Sequence, residues 1–325
     1  MNKNTKRLFI GSGIAAGMGA VGAAHHALTK YLVNVALDRQ IPKHIPGSER
    51  RLSGSRIDPE LLHRLDDAAE KLRGSGCQTV HITSRDGTPL AGHWHECENA
   101  ERVILAMHGW RSSWAHDFGL IADLWFQNGC SVLFAEQRGQ GESGGKYMGF
   151  GLLERYDCLD WVNWLNENGC KNKPVYLAGV SMGASTVLMA GGLDLPENVR
   201  GIMADCGYTS AEAVFRHIAK NNLRLSYASR SRAASSLCRK KIQTGIGDYS
   251  CVDAMRVCKV PVLFAHGTDD RFVPVEMTYE NYKACAAPKR LLVVPGAEHG
   301  MSYLKDKEVY ESTVKRFWQD CDPAP

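Results

Sequence analysis

From Thr79 onward the chain alternates short apolar runs with longer amphipathic stretches. The apolar runs predict strands over Thr79 to Ser84, Leu90 to His95, Arg102 to Met107, Ser131 to Glu136, Pro174 to Gly179, Arg200 to Asp205, Pro261 to His266 and Arg290 to Val294. The first two flank Asp86-Gly87, which reads as a hairpin turn. From Val103 the runs are near-continuously apolar, as expected of parallel strands buried on both faces. Between them Ile121 to Asn128, Leu153 to Asn168 and Ser181 to Gly191 carry helical patterns. Upstream, Leu61, Leu62, Leu65, Ala68, Ala69 and Leu72 recur at three-to-four spacing and stop at Gly74-Ser75-Gly76. The class predicted is α/β: a mostly parallel twisted sheet entered through an N-terminal antiparallel hairpin, with helices on both faces.

Two regions break the alternation. Between Asp205 and Pro261 a polar helical sequence replaces the expected short crossover, which predicts a small helical cap over about 207–255. At the N-terminus, Lys3, Lys6 and Arg7 precede a stretch from Leu8 to Leu28 without Asp, Glu, Lys or Arg. Its length suits one membrane crossing, but Gly11, Gly13, Gly17, Gly19 and Gly22 dilute its hydrophobicity. Three readings stay open: an anchor placing the protein at a membrane through residues 8–28, a signal cleaved near Val21-Gly22-Ala23-Ala24, and a packed helix. Gly11-x-Gly13-x-x-x-Gly17 lacks the strand and βαβ context of a dinucleotide loop. Pro42, Pro46, Gly47 and Gly54 mark Thr29 to Gly54 as a linker. The expected organisation is residues 1–28 as a hydrophobic segment, 29–76 as linker and helix, and 77–325 as the α/β domain with its cap.

Composition narrows the function classes. With 325 residues, 44% hydrophobic and 23% charged, the chain is neither disordered nor a disulfide miniprotein. The surplus of four positive charges gives no support for a nucleic-acid partner. That surplus hides an asymmetry: Arg216, Lys220, Arg224, Arg230, Arg232, Arg239, Lys240 and Lys241 fall in a cap stretch, Ala213 to Lys241, that holds no acid. The 11 cysteines are odd in number, irregular in spacing and without C-x-x-C, so they build neither a complete disulfide framework nor a zinc site. His93 and His95, two apart in a strand, and the adjacent His25 and His26 also lack metal-site spacing. Buried free thiols and no metal are expected.

Gly179-Val180-Ser181-Met182-Gly183 stands where a strand runs into a helix. In a chain with 32 Gly the G-x-S-x-G pattern alone is weak, and its position carries the argument. A serine on a tight strand-to-helix turn is lifted above the sheet edge, and the helix N-terminus offers free amides to a developing negative charge. A nucleophilic serine needs a base, and the base an acid to orient it. Two segments follow strands downstream: His266-Gly267-Thr268-Asp269-Asp270-Arg271-Phe272-Val273-Pro274 and Gly296-Ala297-Glu298-His299-Gly300.

With these motifs in order, the sequence resembles the α/β-hydrolase superfamily, in particular its serine esterases and serine-aminopeptidase-like members. The resemblance covers roughly residues 77 to 320. Its H-G-x-x-D-x-x-V-P pattern places the triad acid at Asp270, with Asp269 one position out of register, and its terminal histidine matches His299. Met107-His108-Gly109-Trp110 matches the oxyanion loop, implying backbone donors at Trp110 and Met182 and a bracing role for His108. Glu136-Gln137-Arg138-Gly139-Gln140-Gly141-Glu142-Ser143 matches a D-x-R-G-x-G-x-S signature, with Glu136 where most members have Asp. Its glycine spacing also mimics a dinucleotide fingerprint, which the hydrolase pattern already explains.

The resemblance implies a serine hydrolase that cleaves an ester or related acyl bond through an acyl-enzyme, with no cofactor and a small-molecule acyl substrate as partner. A serine peptidase and a thioesterase or lipid deacylase use the same residues, and a non-catalytic binding module on this fold is the alternative of another class. Trp114 and Phe118 are candidates for an acyl pocket or for packing, and His217 for a substrate contact from the cap. The basic cap reads either as a solvated face or as an attraction for an anionic substrate or anionic lipid.

Overall fold

The apolar runs pair into one sheet of eight strands: β1 (Gln78–Thr83), β2 (Pro89–His95), β3 (Arg102–Met107), β4 (Cys130–Ala135), β5 (Val175–Val180), β6 (Val199–Asp205), β7 (Val262–Gly267) and β8 (Lys289–Val294). The computed structural model describes residues 22–40 and 59–322. Strand order is β1-β2-β4-β3-β5-β6-β7-β8. The antiparallel β1/β2 hairpin joins through β2 to β4, and all pairs from β4 to β8 are parallel. Crossover connections carry the helices to the two faces, which is why both faces of the central strands are apolar. On β3, Val103, Leu105 and Met107 enter one core while Ile104 and Ala106 enter the other.

The first core is closed by α5 (Glu154–Leu165), α6 (Met182–Ala190) and α9 (Cys251–Val257), with Trp161, Leu165, Val187 and Met255 buried. The second lies under α2 (Pro59–Arg73), α3 (Trp114–Phe118), α4 (Ala122–Gln127) and α12 (Lys307–Cys321). The span expected for a cap, about 207–255, holds α7 (Ala211–His217), a wider turn over Ile218–Asn222 and α8 (Ser231–Ile242), and runs into α9.

Upstream of the sheet the structure adds an element that the sequence pattern did not announce. Residues 22–37 form a helix, α1, across the expected boundary between hydrophobic segment and linker. Thr29, Val33, Val35 and Leu37 are buried, and Val33 and Leu37 join the first core. Its C-terminal end is held to the body by Asp38, which bridges to Tyr147, and by Arg39, which donates to the Ser143 carbonyl at 2.5 Å and to the Gly141 carbonyl at 2.6 Å. Residues 1–21, on which the anchor and signal readings mostly rest, and 41–58 lie outside the described residues. Among the described residues no helix is long and apolar enough to cross a membrane.

Candidate active site

The turn after β5 is built for close approach. Ser181 has φ 55° and ψ −115°, a sparsely populated conformation of the kind that costs about 1–3 kcal/mol and persists where surroundings enforce it. The enforcing contacts are backbone on backbone: a side chain at Gly179 would collide with Gly183, and one at Gly183 with the Met107 carbonyl at the end of β3. Met182, as the first residue of α6, has an amide without an intrahelical acceptor next to Ser181.

His299, on the loop after β8, sets Nε2 2.8 Å from Ser181 Oγ and Nδ1 2.6 Å from Asp270 Oδ2. The Asp270 carboxyl is fully buried and the His299 ring is 19% exposed. Asp270 Oδ1 accepts the amides of Phe272 at 2.9 Å and Val273 at 2.8 Å, so the loop after β7 fixes the carboxylate plane. Asp269 instead accepts the Thr268 hydroxyl at 2.9 Å, which separates the two adjacent acids. Burial opposes charge on Asp270, but the His299 charge and the hydrogen bonds from His266 and His299 outweigh it and hold the carboxyl well below the usual range. Burial likewise opposes charge on His299, and the Asp270 carboxylate overcomes it, raising the imidazole above its ordinary value.

A second histidine on this acid was not singled out from the sequence. His266 Nε2 lies 3.0 Å from Asp270 Oδ2 and 2.9 Å from the Val273 carbonyl, and Nδ1 lies 2.6 Å from the Thr278 hydroxyl. Two oxygen acceptors at Nε2 place the ring hydrogen there, so the Thr278 hydroxyl donates to Nδ1. The only sequence signal was the His four residues before Asp270.

The oxyanion loop is braced around one amide. The Gly109 amide donates to Asp117 Oδ2 at 2.6 Å and the Arg111 amide to Gln140 Oε1 at 2.5 Å. Among the described residues the Trp110 amide between them has no acceptor. The Trp110 indole donates to the Ala36 carbonyl of α1 at 2.9 Å, and Arg111 donates to the Val35 carbonyl at 2.7 Å and the Asp38 carbonyl at 2.6 Å. His108 is buried, accepts the Gln137 amide at Nε2 (3.1 Å) and donates from Nδ1 to the Gly109 carbonyl (2.8 Å). Glu136 accepts the Glu142 amide and, at 3.2 Å, the His93 ring, tying down the following turn.

Two of the expected substrate residues sit in the second core, and the third lies beside the loop that carries Asp270. Trp114 stacks on His93 with ring centres 4.3 Å apart, and Phe118 packs against Trp125 and Phe134, both in the core beneath α2. Their three-to-four spacing on α3 turns them toward the sheet rather than toward Ser181. His217 Nε2 lies 3.1 Å from the Arg271 carbonyl, and its Nδ1 faces Asn221 at 2.9 Å. The cavity adjoining the site is instead lined by Trp110, Phe150, Phe215 and Phe272 together with α1 and other cap residues. Phe272 meets the His299 ring edge to face with centres 5.1 Å apart.

All 11 cysteines are free and most are buried. Cys206, Asp270 and His299 have candidate ligand atoms within 4.8 Å of one another, the one such group among the described residues. Burial pushes the Cys206 thiol up to about 11, and the other two members are already hydrogen-bonded to each other.

The sheet order, the elbow after β5 and the loops after β7 and β8 are those of the α/β-hydrolase fold, and the chain has that fold. The pattern of a hydrolase family described as serine aminopeptidase, S33, matches residues 98–225. The uncharacterized protein YqkD of Bacillus subtilis is 26% identical over 243 residues, covering 75% of this chain and 79% of that protein. The uncharacterized protein YfhR of Escherichia coli K12 is 25% identical over 232 residues, covering 68% and 73%. Among solved structures, the Pyrococcus furiosus esterase Pf2001 superposes with a TM-score of 0.64 at 22% identity, covering 83% of this chain and 96% of that one.

Proposed function

We propose that the protein is a serine esterase in which Ser181, His299 and Asp270 form the catalytic triad. The reading rests on the continuous hydrogen-bonded line Ser181 Oγ–His299–Asp270, with separations of 2.8 and 2.6 Å. Ser181 Oγ attacks the ester carbonyl as His299 Nε2 takes its proton. The oxyanion formed accepts hydrogen bonds from the Trp110 and Met182 amides, each such donor being worth about 3–4 kcal/mol of barrier. Collapse breaks the ester C–O bond, and His299 returns the proton to the departing alcohol. Water then attacks the acyl-enzyme with His299 again as base, releasing the acid and restoring Ser181. Asp270 keeps the ring hydrogen on Nδ1 and stabilises the imidazolium.

An aminopeptidase would use the same three residues, but it must also hold a cationic substrate amino terminus. The cavity beside the site has no carboxylate in its lining, and the charged residue there, Arg230, is itself cationic, so a substrate amino terminus finds no counter-charge. The discriminating assay compares p-nitrophenyl esters, aminoacyl and N-blocked peptide amides, and acyl-CoA thioesters on the purified full chain and on Ser181→Ala. Ester turnover exceeding the others and lost in Ser181→Ala is the expected result. Peptide turnover with inert esters contradicts the reading.

A further inference from the structure

The N-terminal helix α1 has no counterpart among the triad and oxyanion motifs, yet it reaches the site. A cavity of about 100 Å³ opens between α1, the cap and the oxyanion loop. Leu32 and Ala36 of α1 line one part of it, Phe215 and Leu223 downstream of β6 another, and Trp110 and Phe272 the end nearest the triad. Trp110 carries the proposed oxyanion amide, and Phe272 touches the His299 ring, so the cavity begins where the acyl carbon of a bound ester would lie. Its walls are almost entirely aliphatic and aromatic carbon.

Resting on the esterase reading, we infer that this cavity is the acyl-binding pocket, that its ligand is a short, uncharged aliphatic acyl chain, and that α1 sets the chain length. The size decides the class: an apolar cavity of about 150 Å³ holds benzene, so this one, at about two thirds of that, takes about four carbons beyond the carbonyl, an acyl group of about four to six carbons in all. Arg230 also lines the cavity, but its guanidinium donates to the Ser226 carbonyl at 2.8 Å and the wall stays almost wholly carbon, so a tail ending in a charge would lose solvation that the lining does not replace. The basic cap does not reverse this. Arg239 pairs with Asp248 at 2.5 Å, Lys241 with Asp38 at 2.6 Å and Arg216 with Glu212 at 3.1 Å, and none of these three cations is in the cavity lining. The placement of α1 is fixed by bonds to the oxyanion loop itself, from the Trp110 indole and the Arg111 guanidinium, so the wall and the catalytic loop are one rigid unit.

The test is a series of p-nitrophenyl esters from acetate to dodecanoate on the full chain, Leu32→Trp and Leu223→Ala, with fluorophosphonate labelling of Ser181 in each. In the wild type kcat/KM rises about fourfold per methylene up to four to six carbons and then stops rising. Leu32→Trp fills the pocket and lowers the hexanoate-to-acetate ratio about tenfold; Leu223→Ala enlarges it and moves the maximum to longer chains. A flat wild-type profile, or ratios unchanged in both variants while Ser181 is still labelled, overturns the pocket assignment and leaves the esterase reading standing. No turnover and no labelling of the wild type overturns both.

Discussion

Replacing Asp270 by Asn exchanges one oxygen for an NH2 group and removes one buried charge. The surrounding hydrogen bonds dictate how the amide sits. One Asp270 oxygen accepts two amides, from Phe272 at 2.9 Å and Val273 at 2.8 Å, so the Asn oxygen takes that place. The NH2 group then faces His299 Nδ1, 2.6 Å from the position of the lost oxygen, and His266 Nε2, 3.0 Å from it. A donor now meets His299, and the ring answers by moving its hydrogen to Nε2, where it can no longer accept the Ser181 proton. A wrong tautomer in this arrangement costs about 10⁴-fold in kcat, or about 5.5 kcal/mol of barrier. The pH profile gives an independent reading. His299 must be neutral to act as base, so activity is lost as pH falls through its pKa. Burial opposes the imidazolium, but Asp270 raises that pKa, so the wild-type acid limb lies above about 6.5 and activity climbs into the alkaline range. In Asp270→Asn the limb moves to lower pH. The assay is kcat/KM for p-nitrophenyl butyrate from pH 5 to 10, with circular dichroism confirming the fold. Activity within tenfold of wild type, or a larger loss in Asp269→Asn, contradicts the role of Asp270 as the acid that orients His299.

Three further outcomes are expected. Gly183→Ala drives a methyl into the Met107 carbonyl, and because backbone meets backbone the expected loss exceeds about 3 kcal/mol, read as a large fall in Tm or no soluble protein; a wild-type Tm contradicts the elbow packing. Thiol titration in denaturant gives one reactive group for each of the 11 cysteines, and under native conditions Cys77, Cys97 and Cys321 react well before the buried eight; a lower denatured count contradicts the absence of disulfides. Lys241→Ala removes the 2.6 Å pair with Asp38 that ties the cap to the end of α1 and lowers urea-unfolding stability by about 1 kcal/mol, less at high salt; no change at low salt contradicts that tie.

The parts of the molecule legible in the sequence are those whose signals are local. A strand buried on both faces announces itself as an apolar run, and each of β1 to β8 lies within a residue or two of its expected place. Ser181, Asp270 and His299 share the same advantage, since each follows a strand in a turn whose residue types are constrained by its own backbone. What failed required knowing which distant segments meet. Trp114 and Phe118 are near Trp110 in sequence, but α3 rolls them under α2, where Gly119 packs against the Ala68 backbone. Residues 22–37 mix apolar residues with His25, His26, Lys30 and Asn34, and what buries Val33 and Leu37 is the distant body, so the helix could not be separated from a linker or an anchor. His266 was visible only as a letter in a motif, because its meaning comes from Thr278 on the following helix and Val273 on the loop between.

Every proposed step of the ester chemistry begins at Ser181 Oγ, so labelling of that atom is the decisive measurement. Brief treatment of the full chain with a fluorophosphonate, followed by intact mass and peptide mapping, should give one adduct per chain on the peptide holding Gly179 to Gly183, slowed greatly in His299→Ala and absent in Ser181→Ala. An adduct at another residue, or one that persists at full stoichiometry in Ser181→Ala, would contradict it.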